Sequence, residues 1–154
     1  MEKKRRGLKR HKALRPLSHH HNQALFVALK LKRVGTEKSR FSVEEVREEV
    51  QLFWEPGGRE HFREEEEILL TTYAQYASID DKQISDMLLE HVKIGALMNK
   101  LLKADDDDPF ELMHELGTLL ETHIRKEERI IFPMIERALP EDKMNELAPY
   151  LHVN

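Results

Sequence analysis

Two segments of the sequence repeat one local arrangement of side chains that can bind a metal ion. His61 precedes Glu65 by four residues, and His123 precedes Glu127 by the same spacing. Residues i and i+4 of an α-helix lie on one face, one turn apart. Each pair can therefore direct an imidazole and a carboxylate at one metal ion or at adjacent ions. Iron, manganese and zinc all accept these ligand types.

The acidic residues beside these pairs point elsewhere on a regular helix. Glu66 and Glu128 each follow the nearest histidine by five positions, which turns them about 140° away from it. Glu64 lies about 60° away on the other side of His61. Helical geometry therefore favours Glu65 and Glu127 as the ligands.

The residues around the central histidines indicate that these polar groups face a core. Apolar stripes accompany His61 (Trp54, Ile68, Leu69), His91 (Ile84, Met87, Leu88, Ile94, Met98) and His123 (Leu116, Leu119, Leu120, Ile130). Such a stripe packs against the interior of a protein. A carboxylate buried there without a partner costs several kcal/mol. Because these stripes carry no Lys or Arg, a metal ion is the natural partner.

The first helical segment offers three consecutive histidines. His21 shares its face with Leu17, Leu25 and Ala28, whereas His20 lies on another apolar face. We favour His21 as the ligand and keep His20 as the alternative.

The remaining histidines are predicted to be bystanders. His19 is predicted to face solvent, as is His114, which lies about half a turn round the helix from His123. His11 lies in the basic N-terminal tail and His152 near the C-terminus.

Four long helices and one short one are predicted to position these residues. Apolar periodicity, caps and breakers place them at about residues 18–33, 43–76, 80–103, 108–133 and 140–151. Short connections between long helices favour an all-α, antiparallel up-down-up-down four-helix bundle, here with a short extra C-terminal helix.

Several local signals set the predicted ends of the helices. Ser18 and Ser42 are predicted N-caps, the latter within a capping box with Glu45. Residues 55–58 (Glu-Pro-Gly-Gly) are expected to break or kink the second helix, and Pro133 to kink or end the fourth. The acidic run 105–108 is interpreted as a helix cap and solvated acids rather than a calcium loop.

Composition excludes several classes of protein. The chain has 154 residues with nine His and no Cys, which suits one domain and excludes thiolate-held zinc or iron–sulfur sites and cysteine nucleophiles. Charged residues are 35% and aromatic residues 6%, which favours helices. The longest uncharged apolar run, 24–29, is too short to span a bilayer. We expect a soluble cytoplasmic protein without a membrane partner.

Charge divides the chain into a basic arm and an acidic body. Residues 1–16 carry a net charge of +7 and the remainder −11. We predict a flexible arm over 1–16 and a metal-binding bundle over 17–154. An acidic body is not typical of a nucleic-acid-binding domain.

The order of these motifs resembles the hemerythrin-like HHE cation-binding family. One His, then HxxxE, then one His, then HxxxE follow one another. The first, second and fourth lie within Leu17–Leu25, His61–Glu66 and His123–Glu128, the third is His91, and Ile131-Phe132-Pro133 follows the last. The similarity covers about residues 17–137. It implies a four-helix bundle with a non-haem di-iron centre. The implied ligands are His21, His61, Glu65, His91, His123 and Glu127.

The resemblance also implies the cofactor, two iron ions with an oxo or hydroxo bridge, while the ligand types alone also suit zinc or manganese. Two features depart from the oxygen-carrying hemerythrins. Gly95 stands where these have a second histidine on the third helix, and Glu128 stands where they have a ligating Asp. Both departures disfavour plain oxygen carriage. The absence of an N-terminal cysteine segment disfavours the iron–sulfur repair role of similar proteins.

We therefore predict a non-haem di-iron protein that binds or senses O2 or a related oxidant, or handles iron, inside the cell. Its partner is O2 or another small oxidant, and the sequence names no protein partner. A binding protein is favoured over an enzyme. One alternative is a di-iron oxidase or an NO- or peroxide-consuming enzyme. The other is a structural or regulatory metal module whose basic tail contacts a partner.

Overall fold

The computed structural model describes residues 9–103 and 108–152, and within them every regular element is helical. The helices are α1 (Arg15–Arg33), α2 (43–73), α3 (Lys82–Lys103), α4 (110–138) and α5 (Glu141–Leu147), with short 3-10 turns at Lys12–Leu14 and Ala148–Tyr150. Each long helix packs against the next, and α4 closes the ring against α1. The predicted four-helix bundle with a short C-terminal helix is confirmed.

Three π-helical turns interrupt the two helices that carry the HxxxE motifs. In α2 they occupy Trp54–Gly58 and Glu64–Leu69, and in α4 one occupies Glu127–Ile131. The amide after each turn bonds the carbonyl five residues back, as Leu70 N–H does to Glu65 and Phe132 N–H to Glu127. Such turns are frequent at functional sites.

The two prolines of these helices do not end them. At 55–58, where a break or a kink is predicted, the helix has a π turn, across which Arg59 N–H bonds the Trp54 carbonyl, and the helix continues to Tyr73. Pro133 likewise lies just after a π turn, and α4 runs on to Ala138. In a π turn each N–H bonds the carbonyl five residues back, so the helical hydrogen-bond pattern continues past the proline.

The first helix begins earlier than its predicted cap. It starts at Arg15, so Ser18 lies inside α1, where its Oγ donates to Glu128 Oε2 at 2.7 Å. Ala13 and Leu14 are buried in the core. The described part of the predicted arm is therefore packed on the bundle, whereas residues 1–8 lie outside the described residues.

Other predicted helix ends agree with the structure. Ser42 and Glu45 form the complete capping box. Gly35, with φ +78°, follows α1, in the left-handed region that favours glycine. At the start of α3, Asp81 Oδ1 accepts a hydrogen bond from the Gln83 amide. Of the acidic run 105–108, residues 105–107 lie outside the described part of the chain.

The apolar core falls into two clusters. One contains Leu17, Leu69 and Phe132, and the other contains Leu31, Met98 and Leu116. On each long helix the inward histidines lie between residues of the two clusters. The bundle therefore has a polar layer across its middle, with one apolar cluster packed on each side of it. None of the described helices is long and apolar enough to cross a membrane.

Candidate metal centre

The polar layer consists of six side chains, and all four long helices contribute to it. They are the predicted ligands His21 of α1, His61 and Glu65 of α2, His91 of α3, and His123 and Glu127 of α4. None is more than 4% exposed. The structure brings all six together.

These side chains form two overlapping groups of four. The first position comprises His21, His61, Glu65 and Glu127, and the second comprises His91 and His123 with the same two glutamates. Within each group the ligand atoms lie within 4.8 Å of one another. The two carboxylates are shared, so the arrangement suits two adjacent cations with carboxylates between them. That the six residues bind metal stays a prediction.

All four inward imidazoles turn Nε2 toward the shared carboxylates. The distances are 2.9 Å (His21 to Glu127 Oε1), 2.7 Å (His61 to Glu65 Oε2), 3.1 Å (His91 to Glu65 Oε1 and Glu127 Oε2) and 2.9 Å (His123 to Glu127 Oε2). The donor atoms therefore converge on one small volume.

Two of these converging atoms lack a hydrogen-bond partner among the described residues. His123 Nε2 and Glu65 Oε1 are fully buried, and although Glu127 and His91 atoms lie near them, the angles do not make hydrogen bonds. Buried polar atoms are seldom left in this state. A bound cation would engage both atoms, and imidazole with carboxylate is a donor set that iron, manganese and zinc accept. The residues therefore fit a metal pair.

In the metal-free protein, pairing between protonated histidines and carboxylates stabilises the polar layer. Burial disfavours the charged rings, but hydrogen bonds to Glu127 and neighbouring carboxylates outweigh it and raise the pKa of His21 to about 10 and of His91 to about 11. The charge of Glu127 outweighs burial in the same way and raises the pKa of His123 to about 9. Burial opposes ionisation of Glu127, yet its histidine partners, His123 first, hold its pKa well below the usual range. Metal binding must displace these protons.

A second layer of carboxylates lies behind three of the imidazoles. The Nδ1 atoms face Glu128 Oε2 (His21, 2.6 Å), Glu66 Oε2 (His91, 2.7 Å) and Glu90 Oε1 (His123, 2.8 Å). A ring that donates Nδ1–H outward keeps the Nε2 lone pair free for a metal. These contacts therefore set the ring orientation that metal binding requires.

The fourth imidazole has a different outer partner. His61 Nδ1 lies 3.0 Å from Nδ1 of His20, whose ring stacks on Phe53. Burial, followed by the nearby ring of His61, lowers the pKa of His20 to about 3, so His20 is neutral. Of the two alternatives on α1, the structure places His21 in the ligand group and His20 behind His61.

Sequence reasoning missed the outer layer. It set Glu66 and Glu128 aside because both point away from their own histidine on a regular helix. They instead reach histidines of other helices, from within the π turns at Glu64–Leu69 and Glu127–Ile131. The signal in the sequence is a second glutamate directly after the glutamate of each HxxxE motif, and both segments have it.

The other histidines lie outside the layer. His19 is exposed as predicted. The predicted exposure of His114 is wrong, because it is half-buried and its Nε2 lies 2.7 Å from the Val34 carbonyl at the end of α1. His11 faces Glu141, and His152 Nδ1 lies 3.7 Å from Glu64 Oε2. Glu64 is buried but belongs to neither ligand group.

A cavity of about 10 Å³ adjoins the polar layer. His20, His21, His61 and His123 border it together with apolar side chains, among them Trp54, Phe62, Leu120 and Ile124. Its volume is close to the minimum that one water-sized molecule requires. Trp54 also covers the position of Gly95, where an added Cβ would lie 4.0 Å from the indole Cζ2.

Comparison with protein families supports the cation-binding interpretation. The sequence model of the Hemerythrin HHE cation binding domain matches residues 11–135, which is most of the chain. The comparison with curated proteins and the comparison with solved structures each found no match.

Proposed function

The chain belongs to the hemerythrin HHE cation-binding family, and we propose that it is a non-haem di-iron protein that binds or senses O2 or a related small oxidant. The observation that carries the proposal is the pair of overlapping ligand groups that share Glu65 and Glu127. The six inward side chains divide into two groups of four, and each group offers enough donor atoms for one ion. The cysteine-free sequence suits a reducing compartment, and we propose the cytoplasm.

The chain's own residues account for charge and orientation in this proposal. The two shared carboxylates supply two negative charges that offset part of the charge of the ions, and four neutral imidazoles supply the remaining donor atoms. The outer partners hold each imidazole with its Nε2 inward. Iron, when bound, supplies the one-electron chemistry and the affinity for small oxidants that the protein atoms lack.

The adjoining cavity has room only for a very small molecule. Its walls are mostly apolar, and a small apolar cavity disfavours water, which needs several polar partners. A diatomic molecule such as O2 or NO makes no such demand. The cavity borders His61 and His123 at once, so a molecule held there lies beside both metal positions.

Exposure of reduced, iron-loaded protein to O2 tests this proposal. We expect a change in near-ultraviolet and visible absorbance together with O2 uptake in proportion to protein, and no change in zinc-loaded protein or in His61→Ala. An iron-loaded protein whose spectrum ignores O2 would contradict the proposal. Sustained O2 consumption with a reductant would instead favour an oxidase.

A further inference from the structure

The two halves of the centre repeat one another except at one outer residue. Helices α2 and α4 each carry His-xxx-Glu-Glu, and the second glutamate reaches a histidine of another helix. On α1 and α3, the residue before the inward histidine contacts the histidine of the following helix. That residue is Glu90 on α3 but His20 on α1. An anionic partner in one half is thus replaced by an imidazole in the other.

Charge around the second position favours a cation. Its imidazoles, His91 and His123, donate to Glu66 and Glu90. Lys126 neutralises one of these charges, because its Nζ lies 2.8 Å from Glu90 Oε2. The outer layer of this position therefore sums to one negative charge.

The outer layer of the first position carries less negative charge than that of the second. His21 donates to Glu128, but Arg10 lies 3.1 Å from the other oxygen of that carboxylate. Nδ1 of His61 lies 3.0 Å from Nδ1 of His20, which stacks on Phe53, so an imidazole rather than a carboxylate lies behind His61. Each cation also has a second acidic neighbour, Glu136 for Arg10 and Asp86 for Lys126, so these acids do not distinguish the halves. The outer layer of the first position therefore carries one carboxylate fewer than that of the second.

We propose that the two metal positions are unequal: the His91–His123 position binds its ion first and more tightly, and His20 is the positioning residue that holds His61 for the second, weaker ion. This inference rests on the proposed dinuclear site. A carboxylate behind a ligating imidazole raises its basicity as well as fixing its orientation, and loss of such a partner costs about 10–100-fold in metal affinity. A neutral acceptor orients His61 without the added charge.

Calorimetric titration of the metal-free full-length protein with Zn²⁺, which has no redox chemistry, tests the inference. We expect two binding steps. His20→Leu removes the acceptor behind His61 and lowers the affinity of the weaker step about 10–100-fold, leaving the tighter step unchanged. His20→Gln, whose amide oxygen can accept the same N–H, recovers most of the loss. Glu90→Gln is the matched change in the other half, and we expect it to weaken the tighter step.

A second pair of variants assigns each step to its position without relying on His20. We expect His61→Ala to keep the tighter step and lose the weaker one, and His123→Ala to lose the tighter one. Two steps of equal affinity, or a loss from His20→Leu that falls on the tighter step, would overturn the inference while leaving the dinuclear site intact. Absence of any Zn²⁺ binding would overturn the proposed function as well.

Discussion

At the scale of single residues, the two shared glutamates make the histidines interdependent. Glu127 lies within hydrogen-bonding distance of three imidazoles, those of His21, His91 and His123. Removal of one imidazole takes away a metal ligand and leaves a buried carboxylate undercompensated. Loss of a ligand therefore affects metal content and folding stability together.

We expect His61→Ala and His123→Ala each to lower both the metal content and the melting temperature of the metal-loaded protein, since bound metal stabilises the native state by mass action. Elemental analysis and thermal unfolding measure the two effects. His19→Ala, an exposed neighbour of the ligand helix face, should change neither. A loss of metal from His19→Ala equal to that from His61→Ala would contradict the assignment.

The raised histidine pKa values predict how the metal-free protein responds to pH. His21, His91 and His123 have folded-state pKa values of about 10, 11 and 9, above the unfolded value of about 6.5. Their stabilisation is complete below that unfolded value and is lost as pH rises toward 9–11.

Urea unfolding of EDTA-treated protein at pH 6.5 and pH 9.5 measures this response. We expect a lower urea midpoint at the higher pH. The urea midpoint of the metal-loaded protein should fall less between the two pH values, because metal binds the deprotonated ligands and competes with protons. An unchanged midpoint in the metal-free protein would contradict the account of proton-held histidines.

Single residues also mark the limit of what the sequence could predict about the site. Periodicity identified His61, Glu65, His123 and Glu127 because one regular helix relates the two members of each pair. The outer layer could not be predicted this way, since contacts such as Glu66 with His91 join different helices.

At the scale of helices, two glycines differ in how much space a side chain would have. A Cβ on Gly117 of α4 would lie 2.8 Å from the Ala28 carbonyl oxygen and 2.9 Å from Leu31 Cβ, so this glycine permits the close approach of α1. A Cβ on Gly95 of α3 would meet only Trp54, at 4.0 Å. The first glycine is required by packing, and the second is not.

We expect Gly117→Ala to lower the free energy of unfolding by about 1–3 kcal/mol through overpacking. Gly95→Ala should raise it by about 0.5–1 kcal/mol, because glycine in a helix interior is disfavoured. Urea unfolding of both variants compares the same Gly→Ala change at the two positions. Equal destabilisation by the two changes would contradict the packing described for α1 and α4.

Helix spans and several caps could be predicted from local signals, but the π turns could not. The capping box at Ser42 and the end of α1 at Gly35 depend on residues close in sequence, so they are visible there. Pro56 and Pro133 suggested breaks or kinks, yet both helices continue because their faces are buried along the whole bundle. Tertiary packing outweighed a local preference at both prolines.

At the scale of the whole molecule, the N-terminal segment is joined to the metal centre through one carboxylate. Arg10 contacts both Glu128 and Glu136 and lies over the ring of Phe132, with only 8% of its side chain exposed. Glu128 in turn accepts from His21. The segment before α1 therefore helps to orient a predicted ligand.

We expect Arg10→Ala to destabilise the protein by about 2 kcal/mol, the usual scale for a hydrogen bond to a charged group. Because it leaves the Glu128 carboxylate without this cation, it should also strengthen cation binding at the His21 side. Thermal unfolding and metal titration check the two effects. Lys12→Ala removes an exposed charge two residues away and should have no effect on either. Equal behaviour of the two variants would show that Arg10 does not act on the centre.

The proposed dinuclear centre requires that the polar layer bind two ions. Anaerobic reconstitution of the full chain with ferrous iron, removal of unbound metal and elemental analysis against protein concentration measure this directly. We expect about two iron ions per chain, and both fewer ions and a lower melting temperature in His123→Ala. One ion per chain would contradict the dinuclear centre, and none would contradict metal binding by these six residues.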